Sequence, residues 1–321
     1  MKATLIPALL LAAAPFWTMP AQAQQRQAPL RVFCMETQKI KMPAPLPADP
    51  GDTGEPHPAV CGHGKVPQPL GRFSPKGLPA IERHDVPGVD PVAPEVPGVD
   101  SAEEIALDYF YNAAYQTGSA TGSQAKFTQH QPVVGVQDYH SLIEMSGESA
   151  DGSNIIEVGW TVDPGLNGDD LPHLFVFHWV NSNPTCYNGC GFVQVSETRF
   201  PGMPVTVTTT PQKYAFKWDG SNWWVGYQGE WIGYFPGDLW NGEFARLGFS
   251  QWFGEVASGS TEPCTQMGSG EFGSGIGSAK VGSEKFGGSS AAQPGAITDP
   301  QYFALGSFYK STFKLGGPGA C

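Results

Sequence analysis

The chain has 321 residues, with Lys+Arg 18 against Asp+Glu 30 and a net charge of −12. An acidic balance of that size argues against nucleic acid or an anionic membrane surface as partner. No segment beyond the N-terminal leader approaches the ~20 consecutive apolar residues that a membrane span needs.

The leader comes first. Met1-Lys2 is a short basic start, Leu5 to Ala14 is apolar, and Ala21-Gln22-Ala23 is a small-residue cleavage signal. Together they predict a secretory signal peptide over 1–23, removed near Ala23, and a protein secreted to an extracellular or periplasmic space. The remainder is long enough for one large all-β domain with an appendage.

Residues 24–100 are rich in proline, and Val86-Pro87-Gly88-Val89-Asp90 recurs as Val96-Pro97-Gly98-Val99-Asp100. Proline lacks an amide donor and fixes its own φ, so neither helix nor strand ladder is expected here. The segment reads as a pro-region or linker. Ser101-Ala102-Glu103-Glu104 then fits a capping box, and Ile105, Ala106 and Tyr109 follow at helical spacing up to Gly118. One short helix over 102–115 is predicted, at the N-terminal edge of a domain spanning 101–321.

Beyond it the pattern is strands. Phe127–Gln137, Ile155–Asp163, Leu174–Val180, Gly191–Ser196, Val205–Thr210, Tyr214–Trp218, Trp223–Tyr227, Ile232–Phe235, Gly248–Ala257 and stretches within 265–315 are rich in β-branched and aromatic residues. Asp219-Gly220 reads as a hairpin turn. Many short strands separated by turn signals predict an all-β protein, an antiparallel β-sandwich of two stacked sheets. Six cysteines in an exported chain favour disulfides. Several connectivities are open, and proximity along the chain favours Cys34–Cys61, Cys186–Cys190 and Cys264–Cys321.

Standard sites are largely excluded. No Gly-x-Ser-x-Gly occurs. Gly268-Ser269-Gly270-Glu271-Phe272-Gly273 matches a dinucleotide fingerprint by letter but lacks the strand-to-helix setting that gives those glycines their role. His173 and His178, five residues apart on a strand, point to opposite faces and do not make a zinc pair. No metal and no cofactor are expected.

Two carboxylates stand out. In Asn154 to Val162, the residues Ile156, Val158, Trp160 and Val162 alternate onto one strand face, and Glu157, Gly159 and Thr161 onto the other. The first face reads as core. Glycine inside a strand often marks a close approach by a ligand or another backbone, which leaves space beside Glu157. In Ser250 to Val256, Trp252, Gly254 and Val256 share one face, and Gln251, Phe253 and Glu255 the other. Against both readings stands the ordinary one, that a strand glutamate faces water.

The segment Ile156-Glu157-Val158-Gly159-Trp160 to Pro164, then Gly168-Asp169, Cys186-Tyr187-Asn188, Cys190-Gly191-Phe192-Val193-Gln194, Trp223-Trp224, Ile232-Gly233-Tyr234-Phe235-Pro236, Phe253-Gly254-Glu255-Val256 and Gln266-Met267-Gly268-Ser269-Gly270 resemble, in this order, the neprosin family of glutamic peptidases. The resemblance covers residues from about 105 to 285. It implies a β-sandwich with a cleft on a concave face, two catalytic glutamates at Glu157 and Glu255, cleavage after proline, and an N-terminal pro-region removed on activation. Phe253 stands where the family motif carries its first glycine.

With the signal peptide, the resemblance leads to the expectation of a secreted glutamic endopeptidase acting on proline-containing peptides or proteins; a monomer is expected. Two carboxyl groups in one cleft do not both ionise easily, so one serves as base towards water and the other as acid towards the scissile carbonyl, with Glu157 the favoured base. Gln251 is the candidate oxyanion helper, with His178 and Tyr234 as further cleft residues. The alternative is a non-catalytic sandwich that binds carbohydrate or a cell-surface ligand through exposed aromatics such as Trp231 and Trp240.

Overall fold

The computed structural model describes residues 32–36, 41–44, 61–69, 107–290, 292–297, 299–309 and 311–321. The expected signal peptide, the VPGVD repeat and the capping box at Ser101–Glu104 lie outside the described residues. In chain order the strands are β1 Val32–Glu36, β2 Lys65–Pro69, β3 Asp108–Ala120, β4 Gly122–Gln129, β5 Asp138–Glu148 and β6 Ile155–Val162. After a one-turn helix α1 (Pro164–Asn167) come β7 His173–Val180, β8 Asn183–Pro184, β9 Val193–Gln194, β10 Thr208–Trp218, β11 Asn222–Tyr227 and β12 Glu230–Pro236. A 3-10 turn at Gly237–Trp240 precedes β13 Leu247–Ser258, β14 Ala279–Phe286, β15 Gln293–Ile297, β16 Ala304–Leu305 and β17 Thr312–Gly316.

These strands build an antiparallel sandwich. One sheet has eight strands in the order β16-β17-β14-β4-β10-β11-β12-β9, the other seven in the order β15-β3-β13-β5-β6-β7-β8. The main core lies between them. Ile156, Val158, Trp160 and Val162 of β6 and Trp252 and Val256 of β13 meet Phe127, Tyr214, Trp223 and Phe235 of the facing sheet. The expected alternation thus holds on both strands. Glycines let the layers close: a Cβ on Gly147 would lie 2.5 Å from the Phe216 ring, and one on Gly254 would lie 2.8 Å from Leu315.

Asp219-Gly220 makes the expected hairpin. Trp218 pairs with Trp223, Asp219 Oδ1 accepts from the amides of Ser221 and Asn222, both at 2.8 Å, and Gly220 takes φ 109°. Cys34–Cys61, Cys186–Cys190 and Cys264–Cys321 are all bonded. Three disulfides suit an oxidising, extracellular setting. Among the described residues no helix is long and apolar enough to cross a membrane.

Three expectations are corrected. The helix predicted over 102–115 gives way, in its described part, to the 13-residue strand β3. Eleven residue pairs with β13 hold it there, and tertiary pairing overrides a local helical spacing worth little by itself. The short helix of this fold is α1, where Asp163 Oδ1 accepts from the Leu166 amide at 2.9 Å and Gly168 closes the turn at φ 81°. The proline-rich N-terminal segment does hold a ladder, because β1 and β2 pair across the Cys34–Cys61 staple. Pro67 and Pro69 fit a two-stranded ribbon, where each strand has an edge that needs no donor. The third correction is an omission: β5 was not foreseen, and it runs between β13 and β6.

The described N-terminal residues dock on the eight-stranded sheet. Trp231 Nε1 donates to Ala44 O at 3.0 Å, and the Gly64 amide donates to Glu197 Oε1 at 3.1 Å.

Candidate active site

The seven-stranded sheet is also buried on its outer face. There Tyr111, Ala113, Leu142, Ile155, Phe175, Phe177, Trp179 and Phe253 form a second apolar cluster, with Tyr109 and Tyr187 packed against it. A small cleft opens in this cluster, and its floor carries three carboxyl groups: Glu157 of β6, Glu255 of β13 and Glu144 of β5. They are 4%, 8% and 3% exposed, respectively, so these glutamates are not the solvated strand carboxylates of the ordinary reading.

Strand register sets their arrangement. On β5, Ser146 stands opposite Glu157, Leu142 opposite Glu255, and Glu144 halfway between. Adjacent strands are about 4.8 Å apart, so Glu157 and Glu255 lie roughly 10 Å apart across the sheet and are offset along it. Glu144 occupies the middle of that diagonal. Gly159, directly opposite Glu144, explains how it fits. A Cβ there would lie 2.5 Å from Glu144 Cβ and 2.4 Å from Ile143 O. The space expected beside Glu157 exists, and a third carboxyl fills it.

The walls are aromatic. Tyr109 and Tyr111 come from β3, Phe175, Phe177 and Trp179 from β7. Tyr187 comes from the loop closed by Cys186–Cys190 and packs on Phe177 at 4.9 Å and Phe175 at 6.0 Å. Asn188 pins that loop to β7: its amide donates to Val176 O at 3.0 Å, and its Oδ1 accepts from the Val176 amide at 3.1 Å. The cavity volume is about 30 Å³, room for about two water molecules.

Each carboxyl has its own setting. Glu255 Oε1 is 2.7 Å from His140 Nε2, itself buried, and accepts a hydrogen bond from the Tyr111 hydroxyl. Burial pushes the His140 pKa down, yet the bond to Glu255 and the charges of Glu255 and Asp163 outweigh it, and the net shift is upward. Asp163 stands across from His140, one position beyond the Ser141–Val162 pair. Glu157 Oε1 accepts from Trp179 Nε1 at 3.2 Å. Burial, followed by the charge of Glu255, raises the Glu157 pKa well above the ordinary carboxylate range; the Trp179 bond opposes this. Glu144 is raised well above it too, by burial and then by the charges of Glu157 and Glu255. Its Oε2 has no hydrogen-bond partner among the described residues.

The other expected residues sit elsewhere. Gln251 is buried on the cleft-side face of β13, and its Nε2 donates to Glu148 Oε1 at 3.1 Å rather than lining the cleft. His178 points into the main core, 4.5 Å from the Phe235 ring and 5.4 Å from Trp240, with Nδ1 2.9 Å from Thr185 Oγ1. Burial pushes its pKa down to about 4. Tyr234 belongs to the other sheet and packs with Trp224 and Trp231. Trp231 and Trp240, proposed as exposed binding aromatics, are buried. Among the described residues no group of three or more His, Cys, Asp or Glu is placed to hold a metal ion. A larger groove of about 270 Å³ lies on the eight-stranded sheet beside Lys217 and Lys285; none of its lining residues is a carboxylate or histidine.

The family model described as Neprosin matches residues 137–284. This segment is a neprosin domain. All three cleft glutamates fall inside it. Among solved structures, Scytalido-glutamic peptidase with a transition-state analogue inhibitor is 11% identical, with a TM-score of 0.40 over 66% of this chain and 100% of that one. SCP-B, described as a member of the Eqolisin family of peptidases in complex with the tripeptide Ala-Ile-His, is 11% identical, with a TM-score of 0.37 over 66% and 100%. The carbohydrate-binding module CBM66 from Bacillus subtilis is 10% identical, with a TM-score of 0.26 over 46% and 78%.

Proposed function

We propose that this protein is a secreted glutamic endopeptidase that hydrolyses peptide bonds after proline at acid pH, with Glu255 as base and Glu157 as acid. The neprosin domain supports a peptidase. The observation that carries the two-glutamate reading is the convergence of Glu157 and Glu255 on one buried cleft in different proton environments. Two carboxyls with environments driven apart mark the acid and the base.

Glu255, facing the His140 and Tyr111 donors, is the group set up to carry charge. It takes a proton from water, and the hydroxide adds to the scissile carbonyl carbon. Glu157 keeps its proton through the acid range. With Oε1 occupied by Trp179, its other oxygen is free to donate to the carbonyl oxygen as charge develops there. The tetrahedral intermediate collapses as Glu255 returns its proton to the leaving nitrogen and the C–N bond breaks. No covalent intermediate forms. Tyr109, Tyr111 and Tyr187 offer flat apolar faces that suit a proline ring, which has no amide proton to satisfy. On this reading the proline-rich segment 24–100 is a pro-region, and the protein itself cuts near its end. N-terminal sequencing after acid maturation tests this; a start far outside residues 85–105 counts against it.

The deciding experiment is incubation with proline-rich peptides across a pH scan, with products read by mass. Cleavage after proline at acid pH, lost in both E157Q and E255Q with the fold intact, is the expected result. No cleavage at any pH, or turnover retained in either variant, overturns the assignment.

A further inference from the structure

Attack by water on a peptide carbonyl builds negative charge on its oxygen, and an enzyme gains most by aiming more than one donor at that atom. Glu157 is one. Gln251, the expected helper, is tied to Glu148. The cleft holds another group of the right kind. Glu144 stands on the strand between the two glutamates, lines the cleft and is almost wholly buried. Its Oε2 has no hydrogen-bond partner among the described residues. A native fold rarely leaves a buried polar atom unsatisfied, and such an atom calls for a functional account. Gly159 is the residue that makes its position possible, since any side chain there would strike Glu144. The fold therefore gives up a strand side chain to seat an unpaired carboxyl in the reaction cleft.

We propose that Glu144 is a third catalytic residue: a neutral carboxylic acid whose O–H, together with that of Glu157, forms the oxyanion site. This rests on the peptidase reading above. An ionised Glu144, with no ion-pair partner among the described residues, would cost far more to bury than a neutral one. Burial, and after it the charge of Glu255, hold it protonated. No proton has to leave it. Its O–H···O bond strengthens as the carbonyl becomes an alkoxide and relaxes when the product carbonyl reforms, so the proton count of the reaction is that of Glu255 and Glu157 alone.

The test compares E144L, which has no donor, with E144Q, whose amide N–H still donates. Both are made in the full chain and assayed on a proline-containing peptide at acid pH. For E144L, kcat should fall about 10²- to 10³-fold, as for loss of one oxyanion donor, while KM stays within about threefold because the contact forms in the transition state. E144Q, which keeps a donor, should stay within about tenfold of the parent, short of the loss seen when a donor is removed. An E144L kcat above one-tenth of the parent, or E144Q falling as far as E144L, overturns the proposal. Should E144L fail to fold by thermal melt, E144M replaces it with the same criteria. E157Q and E255Q run alongside. Turnover in either of these defeats the two-glutamate reading, whereas their inactivity beside an active E144L defeats only the role of Glu144.

Discussion

His140 Nε2 lies 2.7 Å from Glu255 Oε1, and both side chains are buried on the cleft side of the seven-stranded sheet. A histidine whose folded pKa is raised stabilises the fold fully below its unfolded value near 6.5 and loses that contribution as pH climbs through the raised value. The charged groups facing it are Glu255 on β13 and Asp163 at the end of β6. H140Q keeps a donor but no charge. It should therefore be destabilised relative to the parent most at pH 5 and progressively less towards pH 9, and its kcat should fall because Glu255, the proposed base, has lost its cationic partner. Urea unfolding of both proteins across that range checks it. A stability difference that does not change with pH would show that His140 is neutral in the fold.

Glu284 gives a second pH signature, far from the proposed chemistry. It is buried on β14, and neither carboxyl oxygen has a hydrogen-bond partner among the described residues. Burial pushes its pKa up from 4.5 to about 8. The folded state therefore holds a proton that the unfolded state has released, and stability falls as pH rises from about 4.5 to about 8, by at most about 1.4 kcal/mol per unit. Glutamine removes the titration. E284Q should match the parent at pH 4 and melt higher at pH 8, a comparison that thermal melts make directly. Equal melting temperatures at pH 8 would sink the idea.

Much of this was legible in the residues. Alternation along Ile156–Val162 and Gln251–Val256 assigned both faces of β6 and β13, and with them the side on which Glu157 and Glu255 stand. What hid was β5. Its residues include Ser141, Glu144, Ser146, Gly147 and Glu148, all poor strand formers taken singly. It is a strand because β13 and β6 pair with it on either side, a non-local cause that a window of sequence does not contain. With β5 went Glu144 and His140, and with β3 went Tyr109 and Tyr111. One signal was present: Gly159 marked a close approach, and what approached was the Ile143 carbonyl and the Glu144 side chain of this protein, not a ligand. Gln251 failed as a cleft residue for a plainer reason: sharing a face with Glu255 does not bring a side chain to the same end of the strand.

Gly159 itself is testable. An added methyl would sit 2.4 Å from Ile143 O and 2.7 Å from Glu144 Cα, and neither is a flexible chain end that can swing aside. G159A should force β6 away from β5 at the site, costing about 1–3 kcal/mol as an overpacking change. It should also lower peptide turnover more than that stability loss explains, since Glu144 is displaced. Urea midpoints and kcat on folded protein measure both. An unchanged midpoint with full turnover would mean that the two strands have slack there.

Trp179 is the remaining control on Glu157, the proposed acid. Its Nε1 donates to Glu157 Oε1, and this bond is the one influence on Glu157 that favours its charged form against burial and the charge of Glu255. In W179F the ring keeps its edge-on packing with Phe177, now 5.8 Å away, and the backbone carbonyl that accepts from Trp240 Nε1 is untouched, so the fold should hold. Without the indole donor, the Glu157 proton is held more tightly. The alkaline limb of the rate profile, where the acid loses its proton, should move to higher pH. At the optimum kcat should fall, because the carboxyl is no longer oriented by its Oε1 bond. Steady-state rates from pH 3 to pH 9 decide it. A limb that stays in place while kcat falls would assign the limb to another group, with Glu144, which lines the same cleft, a claimant.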